Sequence, residues 1–257
     1  MMVKPTEPNE IINIIKGFSS NKAAGFDDIL TRIIKSVSFS IAIPLVTLFN
    51  LSFETGIFPD QLKIAKVIPL FKSDDKRIIN NYRPISVLPV FSKIIEKLMH
   101  KRLKNFLDKN GILTHSQFGF RRGLSTELAI INMVDKVTEA IDNKNECVGV
   151  FLDLSKAFDT IDHDILLQKL NLLGIRGVVN NWFRSYLSNR QQFVEISHER
   201  SALMRISCGV PQGSILGPLL FIVYINDLVN AVKDCNIIMF ADDTNLFFSN
   251  KNLTENN

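Results

Sequence analysis

The stretch NIIMFADDTNLFF, residues 236–248, constrains this chain more than any other. Two short runs of β-branched and aromatic residues flank a polar tip, the pattern of strand, tight turn and strand. At the tip Asp242 and Asp243 stand side by side. Adjacent negative charges repel, and closing a turn takes a single Asp or Asn. Two explanations stay open at this point. The pair is either a solvated turn, or a site neutralised by a hard divalent cation such as Mg²⁺, which binds one or two carboxylates plus substrate phosphates. The second requires a third carboxylate on another strand end.

The rest of the chain mixes helical and strand periods. NEIINIIKGF places Ile11, Ile14, Ile15 and Phe18 on one helical face. SIAIPLVTLFNLSFETG reads as a second, more buried helix closed by Gly56. LKIAKVIPLFK is strand-like. VFSKIIEKLMHKRLKNFLDKNG is an amphipathic helix with Ile94, Ile95, Leu98, Leu103, Phe106 and Leu107 alternating with basic residues, and Gly111 ends it. STELAIINMVDKVTEAID opens on Ser125 as N-cap, with Leu128, Ile131, Val134 and Ile141 on one side. VGVFLD is a short, continuously apolar strand of the kind buried on both faces, and a helix begins near His163. RQQFVEIS and SALMRIS are further strand candidates. The Gly/Pro loop CGVPQGSILGP leads into the apolar helix LLFIVYINDLV, with Pro218 suited to a first turn. Strands and helices are interspersed, so the fold class is α/β (α+β) around a small sheet.

Asp153 is the third carboxylate. It ends the VGVFLD strand, where a buried charge is costly unless paired or bound to metal. Taken alone it could equally cap the turn LSKAFD. If its strand lies beside the 236–248 hairpin, Asp153 and Asp242 meet at the edge of one sheet. Such a pair can bridge two divalent ions for in-line displacement at phosphorus.

Composition narrows the setting. With 257 residues, 46% of them hydrophobic, the chain can bury one large domain or two smaller ones. No apolar run approaches the 18 or more residues of a membrane span. ILGPLLFIVYINDLV is interrupted by Gly217, Pro218, Asn226 and Asp227, and MMVKPTEPNE is polar and acidic where a signal peptide is apolar. Cys147, Cys208 and Cys235 show no zinc spacing or disulfide framework, which points to a reducing, intracellular compartment. Apart from the polar end NKNLTENN there is no low-complexity tract. Residues 1–128 hold 19 Lys and Arg against 11 Asp and Glu, while the remainder hold 11 against 15. A basic front half suits a polyanion and an acidic back half suits cations, although ordinary surface charge has the same appearance.

VFLDLSKAFDTIDH, GVPQGSILGPLLFIVYINDL and FADDTNLF resemble the A, B and C motifs of reverse transcriptases, specifically those of jockey-like non-LTR retrotransposons of animals. NKAAGFDDI, FPDQLKIAKVIPLFK, NYRPISVLPVFSKIIEK and QFGFRRGLST resemble the same family, in order, so the likeness runs from about residue 10 to 249. It implies RNA-directed DNA synthesis from dNTPs on an RNA template and DNA primer, with two Mg²⁺ ions (or Mn²⁺). Asp153 and Asp242 would be metal ligands, with the Leu154 carbonyl as an additional one and Asp243 completing the trio. Phe158 resembles the aromatic gate beneath the incoming sugar; as a bare residue it reads equally as core. Gln212 would sit by the nucleotide, and Gly209 and Gly213 would let the backbone approach a ligand closely. Arg83 and Lys72 resemble the cations that grip the triphosphate, Arg by its planar fork. Lys97, Lys101, Arg102, Lys104, Arg121 and Arg122 would contact template or primer phosphates without reading sequence.

The implied layout is an N-terminal extension over 1–60, then interleaved fingers and palm over 61–257, with a palm core about 146–175 and 208–257. The palm sheet would be small, antiparallel and packed on helices. Two departures stand out. Phe240 replaces the usual Tyr of the C motif, and the sequence stops at Asn257, before the family's lysine-bearing motif and helical thumb and without an endonuclease ahead. A fragment of a retrotransposon polyprotein, or a degenerate copy, is therefore expected. In full it would act in nucleus and cytoplasm as a ribonucleoprotein, without a membrane. A group II intron maturase shares the A–C motifs, and a domesticated, inactive nucleic-acid-binding fragment is the alternative of another class.

Overall fold

The computed structural model describes residues 1–197, 199–232 and 235–251. Its helices are α1 (Pro8–Gly17), α2 (Thr31–Ser36), α3 (Ser38–Thr55), α4 (Val90–Lys109), α5 (Thr126–Asp142), α6 (His163–Leu172), α7 (Val178–Leu187) and α8 (Gly217–Tyr224). Its strands are β1 (Ile64–Phe71), β2 (Tyr82–Val87), β3 (Glu146–Asp153), β4 (Gln191–Ile196), β5 (Glu199–Arg200), β6 (Met204–Arg205), β7 (Asn236–Phe240) and β8 (Asp243–Asn250). The chain divides into two compact units, Met1–Phe106 with Phe158–Gly217, and Leu107–Ala157 with Pro218–Asn257. Of the polar end NKNLTENN, residues 252–257 lie outside the described residues.

The first unit holds a mixed sheet ordered β2–β1–β4–β5, with β6 also paired to β4. β1 and β2 are antiparallel, and β1 and β4 parallel. Helix α1 buries Ile11, Ile12 and Ile15, close to the face its spacing predicts. Helix α3 ends where Gly56 takes a left-handed φ of 71°, its N–H bonding the Ser52 carbonyl. Three of the largest buried side chains, Trp182, Tyr186 and Phe183, come from α7, a helix the sequence reading did not foresee. Trp182 meets Phe53 and Phe58 at centroid separations of 5.7 and 5.3 Å, the latter edge-on, and its indole N–H donates to Ser52 Oγ at 3.0 Å.

Helix α3 departs from expectation in two ways. One flank is exposed, with Phe39 at 68% and Ile43 at 69%. By length and composition it is also apolar enough to cross a membrane, which corrects the expectation that no segment reaches that threshold. Within this unit it behaves as a core helix, since Asn50 exchanges hydrogen bonds with the Thr6 backbone and Phe49 and Phe53 are buried.

The second unit is built on an antiparallel sheet, β3–β8–β7, with α5 packed against it. Ser125 caps α5 by accepting from Leu128 N. The inward face is not the predicted one: Leu128, Ile131, Val134 and Ile141 are 42–63% exposed. Ala129, Met133 and Val137 instead join Phe118, Ile238 and Phe247 in the core. Small side chains let a helix lie close to a sheet, and hydrophobicity alone does not reveal which stripe does so. Strand β3 is likewise not buried on both faces. It lies at the sheet edge, with Val148, Val150, Phe151 and Leu152 all 38% exposed or more.

Candidate active site

In the second unit, β3 runs antiparallel to β8 so that Asp153 falls directly opposite Asp243. Asp243 also pairs with Phe240, which leaves Ala241 and Asp242 as a two-residue loop. Residues directly opposite on neighbouring strands share a face, with Cβ atoms about 4.5–5.5 Å apart. The sheet thus brings Asp153 and Asp243 together at one end, with Asp242 at the tip between its strands. Asp153 caps no helix; that role falls to Asp162, which accepts from Ile165 N at the start of α6. Leu154 follows Asp153 at the strand end and is exposed. Asp153 and Asp243 line a cleft of about 350 Å³, together with Phe151, Phe240, Ile130 and Met133.

Burial raises the Asp243 pKa above its ordinary value, and the charges of Asp242 and Asp153 raise it further. Like charges held this close favour a proton or a cation between them. Among the described residues no group of three or more His, Cys, Asp or Glu side chains is placed to hold a metal ion, so the three aspartates do not converge as a full ligand set. An open pair fits Mg²⁺ all the same, because this ion takes one or two carboxylates and draws its remaining ligands from water and substrate phosphates.

The tip is strained. Ala241 has φ of 56°, a left-handed conformation that disfavours a side chain. The buried Gln117 grips it: Oε1 accepts from Ala241 N at 3.0 Å, and Nε2 donates to Ala241 O at 3.3 Å.

In the first unit, the loop carrying Gln212 is zipped to the latter part of the A motif. Gly209 N donates to Ile161 O, Val210 N to Phe158 O, and His163 Nε2 lies 2.7 Å from Gly209 O. Gly209 and Gly213 are required by close approach, but to protein rather than to a ligand. A Cβ on Gly209 would lie 2.6 Å from Asp159 O, and one on Gly213 would lie 2.6 Å from Ser86 O. Gln212 Nε2 donates to Asp159 Oδ2 at 2.8 Å, while its carbonyl accepts from Ser86 N. Phe158 is half-buried beside this zipper.

Beneath the loop lies Glu96, fully buried on α4, accepting from Ile215 N at 2.8 Å, Leu216 N at 3.2 Å and Ser92 Oγ at 3.1 Å. Burial raises its pKa, opposed by the buried Arg190 and by these hydrogen bonds. Arg190 stacks over the Tyr186 ring at 4.8 Å and donates to Tyr186 O. The sequence reading missed Glu96, Asp159 and Gln117. Glu96 had a signal: it shares the helical stripe of Ser92, Met99 and Leu103, a charge at a core position.

The predicted cations divide by environment. Arg83 and Lys72 are both exposed on the β1–β2 ladder, where Arg83 faces Leu70 and Lys72 N continues the pairing to Asn81 O. Neither has an ion pair among the described residues, and their register puts them on one sheet face. Lys97 and Arg122 are exposed, and Lys104 is half-buried. Lys101 and Arg102 instead converge on Glu10, at 2.9 and 3.0 Å. Arg102 also donates to Lys4 O, Thr6 Oγ1 and Leu98 O, tying the N-terminal segment to α4. Arg121 donates to Thr114 O and Gln117 O, bracing the loop before α5.

Residues 71–257 match the family described as reverse transcriptase (RNA-dependent DNA polymerase). The chain is 32% identical over 255 residues to the probable RNA-directed DNA polymerase from transposon BS of Drosophila melanogaster, covering 96% of this chain and 28% of that protein. It is 33% identical over 248 residues to the corresponding protein of transposon X-element from the same fly, covering 95% and 27%. Similarity to the RNA-directed DNA polymerase from mobile element jockey is also 33%, over 252 residues, with the same coverage of 95% and 27%. The chain therefore spans under a third of the length of these relatives. With the motifs in order, the paired carboxylates on one sheet end and relatives that come from mobile elements, this chain belongs to the reverse transcriptase family, in its non-LTR retrotransposon branch.

Proposed function

We propose that this chain forms the fingers and palm of an RNA-directed DNA polymerase that adds dNTPs to a primer 3′-hydroxyl on an RNA template. The observation that carries it is the register of Asp153 against Asp243, with Asp242 at the intervening turn. Among the described residues these three carboxylates have no ion-pair partner to offset their mutual repulsion, and a divalent cation would supply one. Residues 1–60 serve as an N-terminal extension, and 61–257 as fingers and palm.

Asp153 and Asp242 hold the ions, with the Leu154 carbonyl assisting and Asp243 adding negative charge. Two bound Mg²⁺ ions would activate the attacking hydroxyl and steady the leaving pyrophosphate. The protein's own work is positioning and charge compensation. Lys72 and Arg83 take the triphosphate, which suits two exposed cations on one sheet face. Phe158 limits space at the sugar, and Gln212 and Gly213 border the nucleotide on a loop held by Glu96 and Asp159. Lys97, Lys104 and Arg122 hold nucleic acid through phosphates. Lys101 and Arg102, offset by Glu10, contribute less to that task. In the cell the chain acts on RNA as part of a ribonucleoprotein.

Primer extension on a primed RNA template, with and without Mg²⁺, tests this. Incorporation should require the ion and be abolished by Asp153→Asn or Asp242→Asn, since such ligands act as a unit. Incorporation that survives either substitution overturns the two-metal assignment. Binding of primed template without Mg²⁺-dependent incorporation in any form of the chain would favour an inert nucleic-acid-binding role.

A further inference from the structure

Two-residue hairpin loops favour the type I′ and II′ turns, both of which set the first central residue at positive φ, where Gly, Asn or Asp is preferred. Here that residue is Ala241, φ 56°, immediately before Asp242. The left-handed region is unfavourable for a residue that carries a side chain, so the turn keeps this shape only if its surroundings over-determine it.

The surroundings do so from one segment, residues 116–119. Its main chain brackets β7, with Phe118 N donating to Met239 O and Met239 N to Ser116 O, both at 2.8 Å. The Gln117 side chain, 1% exposed, then reaches the turn itself. Its Oε1 accepts from both Ala241 N at 3.0 Å and Gly119 N at 2.7 Å, and its Nε2 donates to Ala241 O at 3.3 Å. Both peptide groups flanking Ala241 are therefore held by one side chain. Gly119 closes the contact, since a Cβ there would lie 2.2 Å from Ala241 N. Strain in the backbone next to a candidate active-site residue, fixed by a buried amide, is a device for orienting that residue.

We infer that Gln117 is a positioning residue for the metal-binding tip, fixing the peptide that precedes Asp242 so that its carboxylate and that of Asp243 present one geometry. The inference rests on the metal reading above. Gln117 touches no substrate or ion; it acts through Ala241. Removing the clamp lets the strained turn relax, and a misplacement on the scale of 1 Å at such a site costs up to ~10²-fold in function.

The test uses the 257-residue chain with Gln117→Met, which keeps the shape and loses the hydrogen bonds, and Gln117→Glu, which keeps the acceptor and loses the donor. Hydrogen exchange at the Ala241 amide reads the clamp, and Mn²⁺ binding followed by its paramagnetic resonance signal reads the carboxylates. Expected are faster Ala241 exchange in the Met variant and Mn²⁺ affinity weakened at least tenfold, at pH 7.5 and well below the melting temperature of each variant. Weakened affinity in whichever variant keeps the parent's melting temperature separates positioning from loss of fold. Wild-type exchange at Ala241 in the Met variant overturns the clamp. Faster exchange with unchanged Mn²⁺ affinity overturns its link to the carboxylates. Asp242→Asn serves as the separate check: if it too leaves Mn²⁺ binding unchanged, the metal reading has failed rather than the clamp.

Discussion

Asp153 stands directly opposite Asp243 across the β3–β8 pair, two carboxylates in register at the end of one sheet. The raised pKa of Asp243 means that, just above the ordinary carboxylate range, the folded chain binds more protons than the unfolded one. Stability from this group therefore falls as pH rises through that window, and a cation restores it. Asp243→Asn should raise the melting temperature of the metal-free chain at pH 7 more than at pH 4. It should also shrink the rise that Mg²⁺ produces in the parent chain. Equal Mg²⁺ shifts in the two proteins would show that Asp243 lies outside the ion's reach.

Glu96 anchors the loop of Gln212 from below while facing the buried Arg190. Replacing it with Ala removes the acceptor for Ile215 N and Leu216 N and leaves a buried guanidinium uncompensated. A loss of about 3–5 kcal/mol is expected in urea unfolding. Adding Arg190→Met to the same chain should recover part of it, because the stranded charge is then gone. If the double variant is as unstable as the sum of the single ones, the two groups are not coupled.

His100 gives a separate acid signature. Burial, together with the charges of Lys97 and Lys104, pushes its pKa down to about 4. Its folded value lies below the unfolded one of about 6.5, so the unfolded chain binds the extra proton in between. The stability that neutral His100 confers is complete above pH 6.5 and is lost as pH falls toward 4. The urea midpoint should drop over that interval, and His100→Asn should flatten the drop. An unaltered slope would assign the acid sensitivity to other groups.

The basic residues should separate into two kinds. Lys97→Glu or Arg122→Glu should weaken binding to primed RNA without lowering the melting temperature, and should make the dependence on salt less steep. Arg102→Ala should do the reverse. Its guanidinium is engaged by Glu10, Thr6 and backbone carbonyls, so about 2–4 kcal/mol of stability should disappear with little change in the salt slope. Glu10 supports this, since hydrogen bonds from Lys101 and Arg102 outweigh burial and hold its pKa below the ordinary value. Arg102→Ala that binds less RNA at unchanged stability would return it to the nucleic-acid face.

Much of this architecture is written locally. Helix α4 follows from its apolar stripe and from Gly111, with φ of 58°; α5 starts where Ser125 can cap it; and the β7–β8 hairpin follows from two β-rich runs around a polar tip. These are short-range choices of backbone conformation and capping, so neighbouring residues suffice to decide them. The candidate carboxylates were legible for the same reason, as charges placed at the ends of apolar strands. What packs against what was not. The apolar run of β3 suited a central strand and became an edge, and α5 turned its small Ala129 rather than Leu128 to the sheet. The partners that tie Gln117 to Ala241, Glu96 to Ile215 and Asp159 to Gln212 lie 50 or more positions away in the chain. A buried polar side chain takes its meaning from the groups that satisfy it, and only the tertiary fold brings those groups within hydrogen-bonding distance. The sequence by itself marked out which residues carry the candidate charges. The fold decided which ones hold those charges in place, because hydrogen bonds and close packing depend on distance in space and not on separation along the chain.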